Sequence, residues 1–254
     1  MKLAMTEAGE GPPLILLHGL FGAAQNWGAV QKALAPRFRV LAFDLRNHGA
    51  SPQDPAMDYP AMAADVAETM AAAGAPRAAV LGHSMGGKAA MMLALARPDA
   101  VERLVVADVA PVAYTPSLRG YVAAMQALEL RPGLTRREAD AALAEAVPIP
   151  GIRAFLLQNL RFEGERPFWR LGLDAVAAAM PVIEGFSPPS GARYDGPVLV
   201  VSGERSDYVR PEHHALFHAL FPAVDFATVP GAGHWVHAEN QAGFLAAVTP
   251  FLAA

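Results

Sequence analysis

Short, uninterrupted apolar runs alternate with segments of helical periodicity along most of the chain. The apolar runs predict strands at Leu14–Leu17, Val40–Phe43, Ala79–Leu81, Leu104–Ala107, Val198–Val201 and Asp225–Val229, with a further candidate at Lys2–Glu7. Helical patterns lie between them at Met62–Ala73, Gly86–Ala96, Pro211–Leu220 and Gln241–Leu252. Continuous apolar runs are typical of strands that are buried on both faces. The order of elements therefore predicts an α/β fold, with a mostly parallel central sheet and helices on both faces.

The alternation breaks between residues 111 and 190. Helical patterns cover Leu118–Ala127, Arg136–Ala146, Ile152–Leu160 and Leu173–Met180, and prolines such as Pro167 and Pro181 interrupt them. We therefore expect a core of residues 1–110 and 191–254, with residues 111–190 inserted as a helical cap. Ligands of open α/β sheets bind at the carboxyl ends of the strands. A cap there would form a wall of the binding site and exclude water.

One motif carries the strongest chemical signal. The sequence GHSMGG at 82–87 follows an apolar run and precedes a helical pattern, which is the context of a nucleophile elbow. Such a turn would present the Ser84 hydroxyl at a helix N-terminus, where the backbone N–H of Met85 favours a developing oxyanion. The stretch from Gly82 to Lys88 also resembles a phosphate-binding loop, but Ala89 stands where that loop needs Ser or Thr.

A serine nucleophile needs a general base and a second oxyanion donor. His234 lies in PGAGHW at 230–235, directly after the last predicted strand. A histidine is expected there when the nucleophilic serine comes first in the chain, the acid second and the histidine last. His237 is the alternative base. The second donor is expected from HGLFG at 18–22, and we assign it to the backbone N–H of Leu20. We expect His18 to be structural and to bond within its own loop.

The acid that would support the histidine has two candidates. The segment from Gly203 to Val209 resembles the usual G-x-x-D-x-x-V pattern, but the position of the acid holds Ser206, and Asp207 comes one residue late. Asp108 ends the predicted strand that follows the nucleophile strand. Because one residue in a turn redirects a side chain, we favour Asp108 and keep Asp207 as the alternative.

Composition excludes several classes of protein. The chain has 254 residues, 53% hydrophobic and 17% charged, and a net charge of −4, so it shows no basic footprint for nucleic acid. The absence of Cys excludes disulfides and thiolate chemistry. The first residues, MKLAMTEAGEG, do not resemble a signal peptide, and the uncharged stretch Gly11–Gln31 contains prolines and His18. We therefore expect a cytoplasmic protein without a membrane span.

His214 and His218 have the i,i+4 spacing of metal ligands, but no third ligand accompanies them, so no metal is predicted.

Several motifs together resemble the α/β-hydrolase superfamily over nearly the whole chain. They are HGLFG, GHSMGG, DLRNHGAS at 44–51, VADVAPVAY at 106–114 and GAGHWVHAE at 231–239. The RNHG variant at 46–49, within the third motif, and the fourth motif are similar to those of small bacterial carboxylesterases related to mitochondrial abhydrolase-domain proteins. The resemblance implies a hydrolase of small-molecule acyl esters or thioesters that needs no cofactor. It also implies an acid at Asp108, with Ser206 as a helper that bonds the acid or the base.

These residues predict a serine esterase in which Ser84, His234 and Asp108 form a catalytic triad. The alternatives are a C–C bond hydrolase of the same fold, a cofactor-free perhydrolase or acyltransferase, and a non-catalytic receptor. A serine at the elbow argues against dehalogenases and epoxide hydrolases, which use Asp there. Cap residues such as Phe155, Leu156 and Phe168 would line an apolar acyl pocket or form the core of the cap itself.

Overall fold

The computed structural model describes residues 1–254, and its centre is a seven-stranded sheet. The strands are β1 (Met5–Ala8), β2 (Pro13–Leu17), β3 (Arg39–Phe43), β4 (Ala78–His83), β5 (Val101–Ala107), β6 (Leu160–Arg161), β7 (Phe168–Trp169), β8 (Val198–Gly203) and β9 (Val224–Val229). The sheet order is β1-β3-β2-β4-β5-β8-β9, and only β1 runs antiparallel to its neighbour. The short strands β6 and β7 pair with each other alone.

Helices cover both faces of this sheet, as the apolar runs predicted. They are α1 (Gly28–Leu34), α2 (Tyr59–Ala72), α3 (Met85–Ala96), α4 (Arg119–Ala127), α5 (Arg136–Leu143), α6 (Pro150–Leu156), α7 (Leu173–Glu184), α8 (His214–Leu220), α9 (Val236–Glu239) and α10 (Gln241–Ala253). Alternate residues of each strand enter different apolar clusters. Leu14 and Leu16 of β2 pack with α1 and α10, whereas Ile15 and Leu17 pack with α2 and α3. The predicted fold class is confirmed.

Some predicted elements differ from the observed ones. Helix α6 ends at Leu156, and Leu160, predicted to end that helix, begins β6 instead. Helix α7 continues through Pro181 to Glu184. Pro181 lies in the last turn, where the loss of one backbone hydrogen bond does not end a helix. Helix α1 was not predicted, because it is short and follows a 3₁₀ turn.

The segment between β5 and β8 contains α4 to α7 and the β6–β7 hairpin. Part of it has its own small core, formed by Leu134, Ala139, Leu143, Leu157 and Leu160. Part packs on the main core, because Met180 of α7 belongs to the same apolar cluster as α3. The division of the chain into a core and a cap stays a prediction. None of the helices combines the length and the apolar character needed to cross a membrane.

Candidate active site

A sharp turn between β4 and α3 carries Ser84. Its backbone has φ 53° and ψ −120°, a conformation that a non-glycine residue rarely adopts. A Cβ at Gly82 would approach the carbonyl oxygen of Gly86 to 2.2 Å, and one at Gly86 would approach that of Leu17 to 2.5 Å. Glycine is therefore required at both positions for the strand and the helix to meet so closely. The turn sets Ser84 at the N-terminus of α3.

Three side chains from three loops form a continuous hydrogen-bond chain. The Oγ of Ser84 lies 3.1 Å from Nε2 of His234, and Nδ1 of His234 lies 2.7 Å from Oδ2 of Asp108. The carboxylate of Asp108 is fully buried, whereas the His234 side chain is 27% exposed. Because a carboxylate accepts hydrogen bonds, Nδ1 carries the proton and Nε2 is free to accept one from the serine hydroxyl.

Asp108 has several partners besides the histidine. It follows β5 with φ 52°, which turns its side chain toward β8. Its Oδ1 accepts a hydrogen bond from the N–H of Gly203 (3.0 Å), and its Oδ2 accepts another from the hydroxyl of Ser206 (2.5 Å). Asp207, the other candidate acid, is exposed to solvent. The structure thus brings Asp108 and Ser206 to the histidine and leaves Asp207 outside.

Two further rings hold the histidine in place. Tyr208 stacks on His234 with 3.9 Å between ring centroids and 19° between planes. Nε2 of His83 donates a hydrogen bond to the backbone carbonyl of His234 (2.8 Å). Burial lowers the pKa of His83 well below its usual value, so this ring is neutral. Neither contact was predicted from the sequence, because a Tyr or a His does not reveal by its type which neighbour it will contact in the fold.

The alternative base, His237, forms no hydrogen bond with the serine. His237 packs on Trp27 with 4.4 Å between ring centroids, and burial lowers the pKa of His237 to about 4.

The loop after β2 presents an open backbone donor. The N–H of Leu20 forms no hydrogen bond in the structure. His18 accepts a hydrogen bond from the N–H of Leu45 at Nε2 (2.9 Å), so its Nδ1 carries the proton and donates to the carbonyl of Gly19 (2.8 Å). In a trans peptide the C=O and the following N–H point in opposite directions. His18 therefore orients the N–H of Leu20 by holding the carbonyl of Gly19.

A second buried imidazole supports the same loop. Phe21 has φ 64°, and its N–H donates to Nε2 of His48 (3.2 Å). Nδ1 of His48 donates in turn to the carbonyl of Arg46 (2.9 Å). Burial lowers the pKa of His18 to about 4 and that of His48 to about 3. Both rings are neutral at pH 7, as these backbone contacts require.

The other predicted oxyanion donor, the N–H of Met85, is at the first position of α3. The first N–H groups of a helix have no partner within the helix. Leu20 and Met85 both lie next to Ser84 in the lining of a cavity beside it.

A cavity of about 340 Å³ opens on Ser84. Its wall includes Phe155 and Leu156, two of the cap residues singled out in the sequence. Phe168, another of them, is 45% exposed on the surface of the β6–β7 hairpin. A second cavity of about 50 Å³ lies on another side of Ser84. His214 and His218 both pack against the ring of Phe226, away from these cavities.

The sequence and the fold match known proteins over most of the chain. Residues 14–248 match the model of the alpha/beta hydrolase family. The chain belongs to this family. This alpha/beta hydrolase is 45% identical over 250 residues to an sn-1-specific diacylglycerol lipase of Mus musculus, covering 95% of this chain and 81% of that protein. It is 36% identical over 241 residues to the esterase YbfF of Escherichia coli (strain K12), covering 94% and 92%.

Among solved structures, a marine microorganism esterase matches this alpha/beta hydrolase with a TM-score of 0.95 and 34% identity, covering 99% of both chains. The predicted family is confirmed, and so is the prediction that the protein is a hydrolytic enzyme.

Proposed function

We propose that this alpha/beta hydrolase cleaves carboxylic esters through an acyl-enzyme on Ser84. The observation that carries the proposal is the chain of hydrogen bonds from Ser84 through His234 to the buried Asp108. In the first step His234 Nε2 takes the hydroxyl proton while Oγ attacks the carbonyl carbon. The negative charge on the carbonyl oxygen is stabilised by the N–H groups of Leu20 and Met85.

The intermediate then collapses in two stages. The imidazolium of His234 gives its proton to the leaving alcohol, whose C–O bond breaks, and the acyl group stays on Ser84. A water molecule then loses a proton to His234 and attacks the acyl carbon. The bond between that carbon and Ser84 Oγ breaks, and His234 returns the proton to Oγ. The products are a carboxylic acid and the free serine. Asp108 stabilises the imidazolium in both stages, and Ser206 and Gly203 hold its carboxylate in place.

We also propose that residues 111–190 act as a cap over the site. Support comes from α4 and α6, because Tyr121 of the first and Ile152 and Phe155 of the second line the large cavity. The apolar lining suits the hydrocarbon part of an ester. The lipase and esterase relatives support carboxylic esters as the substrate class. Thioesters, which react through the same steps, belong to the proposal as well.

Substitution of the nucleophile tests the proposed function. Ser84→Ala should lower kcat on p-nitrophenyl acetate by at least about 10³-fold, because no hydroxyl remains to form the acyl-enzyme. Ser190→Ala, at an exposed serine, is the matched control and should keep wild-type turnover. Thermal melts of both variants check folding. Turnover by purified Ser84→Ala at the wild-type rate would rule out the serine mechanism.

A further inference from the structure

Two cavities of very different size meet at the candidate nucleophile. The larger has a volume of about 340 Å³ and the smaller about 50 Å³. Ser84, Leu20 and Tyr208 belong to the walls of both. An ester bound at Ser84 therefore has two separate spaces for its two halves, the acyl group and the alcohol.

The position of the base decides which half occupies which space. His234 must reach the oxygen of the leaving alcohol to give it a proton, so the alcohol lies on the side of His234. His234 and Trp235 line the larger cavity, and neither lines the smaller one. The smaller cavity adjoins Met85, beside the carbonyl end of the ester. The acyl group therefore points into the small cavity and the alcohol into the large one.

Part of the wall of the small cavity is rigidly held. The ammonium of Lys88 donates to the carbonyl oxygens of Val112 (2.8 Å), Glu184 (3.0 Å) and Gly185 (2.8 Å). All three of its N–H groups are thus engaged, and it offers no donor to a bound acyl group. The hydroxyl of Tyr59 donates to the carbonyl of Ile183 (2.6 Å), which fixes the end of α7. This part of the wall cannot retreat easily for a longer acyl chain.

The volumes set the length of each half. The smaller cavity has about one seventh of the volume of the larger one, so it receives a much shorter group than the larger cavity does. The larger cavity falls within the usual range for drug-sized ligands, roughly 300–1,000 Å³. We infer that the enzyme prefers esters of short acyl groups with bulky apolar alcohols. This inference rests on the proposed ester hydrolysis and names its substrate class.

A pair of isomeric esters tests the inference directly. Phenethyl acetate carries its bulk on the alcohol, and ethyl phenylacetate has the same atoms with its bulk on the acyl group. We expect kcat/KM to be at least about tenfold higher for phenethyl acetate, because a misplaced group in a tight pocket changes kcat/KM by this order. Equal values, or faster cleavage of ethyl phenylacetate, would overturn the inference and leave ester hydrolysis intact.

Failure of the underlying function has a different signature. If Ser84→Ala hydrolyses p-nitrophenyl acetate as fast as the wild type, both the ester-hydrolase proposal and this inference fall.

Two variants on opposite sides of Ser84 provide a second test. Met180→Ala should enlarge the small cavity and raise the ratio of kcat/KM for p-nitrophenyl hexanoate over the acetate by about tenfold. Phe155→Ala, in the large cavity, should leave that ratio unchanged. Ile183→Val removes a single methyl group from the same wall and replaces Met180→Ala if that variant does not fold. An unchanged ratio in the folded small-cavity variant, or an equal rise in Phe155→Ala, would contradict the assignment.

Discussion

The orientation of the base, His234, depends on the carboxylate of Asp108. Asp108 is fully buried, has φ 52°, and accepts hydrogen bonds from His234, Ser206 and Gly203. The sequence alone did not decide whether Asp108 or Asp207 is the acid, because both follow strands that end at the same edge of the sheet. Residue spacing does not reveal the positive φ at Asp108, and this local conformation decides which carboxylate faces the histidine.

Replacement of each aspartate separates the two candidates. Asp108→Asn should lower kcat by roughly 10²–10⁴-fold, because an amide favours the wrong tautomer of His234. Asp207→Asn is the matched control and should lower kcat less than about tenfold, since its side chain is exposed. Both are compared on one ester at one pH, after thermal melts confirm folding. If Asp207→Asn lost most of its kcat while Asp108→Asn kept a nearly normal kcat, the acid would lie after β8.

Ser206→Ala should have an intermediate effect. Its hydroxyl supplies one hydrogen bond to the carboxylate of Asp108, worth about 0.5–1.5 kcal/mol. We therefore expect kcat to fall by up to about tenfold, measured on the same ester. A fall in kcat as large as that of Asp108→Asn would indicate that Ser206 does more than hold the carboxylate.

At the scale of elements, helix α3 links the nucleophile to the inserted segment. Ser84 precedes its first turn, and Lys88 lies one turn further on, bonded to carbonyls on both sides of the insertion. In the sequence, Lys88 resembled the lysine of a phosphate-binding loop. That interpretation was rejected because Ala89 stands where such a loop needs Ser or Thr. These three hydrogen bonds, which form the Lys88 clamp, were not predictable, because the acceptors are backbone oxygens 24, 96 and 97 residues away from the lysine.

Lys88→Met should destabilise the fold without adding bulk. It leaves the partly buried carbonyls of Val112, Glu184 and Gly185 without their donor, and one unsatisfied buried group costs about 1–3 kcal/mol. We expect the free energy of unfolding in urea to fall by about 2–5 kcal/mol. Lys32→Met, on the exposed side of α1, is the control and should change it little. Equal stability of the two variants would show that the clamp contributes nothing.

Strands β2, β3, β4, β5 and β8 were predictable because each contains a continuous apolar run that is buried on both faces. The elements that were missed or misplaced, α1, α9, β6 and β7, are short and gain their stability from tertiary contacts rather than from local pattern. The nucleophile turn and its glycines were predictable for a different reason. Only a glycine-flanked serine fits a turn in which Gly82 and Gly86 contact backbone atoms of neighbouring elements.

At the scale of the whole molecule, buried neutral histidines make stability depend on pH. Burial lowers the pKa of His18 to about 4 and that of His48 to about 3, both from a usual value of 6.5. Between pH 6.5 and the lowered pKa of each histidine, the unfolded chain binds protons that the folded chain does not. The free energy of unfolding therefore decreases as the pH falls through this range. The contribution is fully present above pH 6.5.

We expect each of these two histidines to reduce the free energy of unfolding by about 2 kcal/mol between pH 7.5 and pH 5. Together they remove a large part of the 5–15 kcal/mol typical of a domain. Urea titrations at several pH values, with proton uptake on unfolding, measure the slope. His214→Gln, at a histidine of α8 that packs on Phe226, should keep the wild-type pH dependence. Constant stability from pH 7.5 to pH 5 would show that these rings are not buried as neutral species.

The measurement that most directly tests the proposed chemistry is the site of covalent trapping. A fluorophosphonate reacts with an activated serine and stays bound to its oxygen. Intact-mass analysis should show one adduct per chain, and peptide mapping should place it on Ser84, with His234→Ala losing nearly all labelling. An adduct on another residue, or labelling of Ser84 that is equally fast without His234, would contradict nucleophilic catalysis by the Ser84–His234–Asp108 chain.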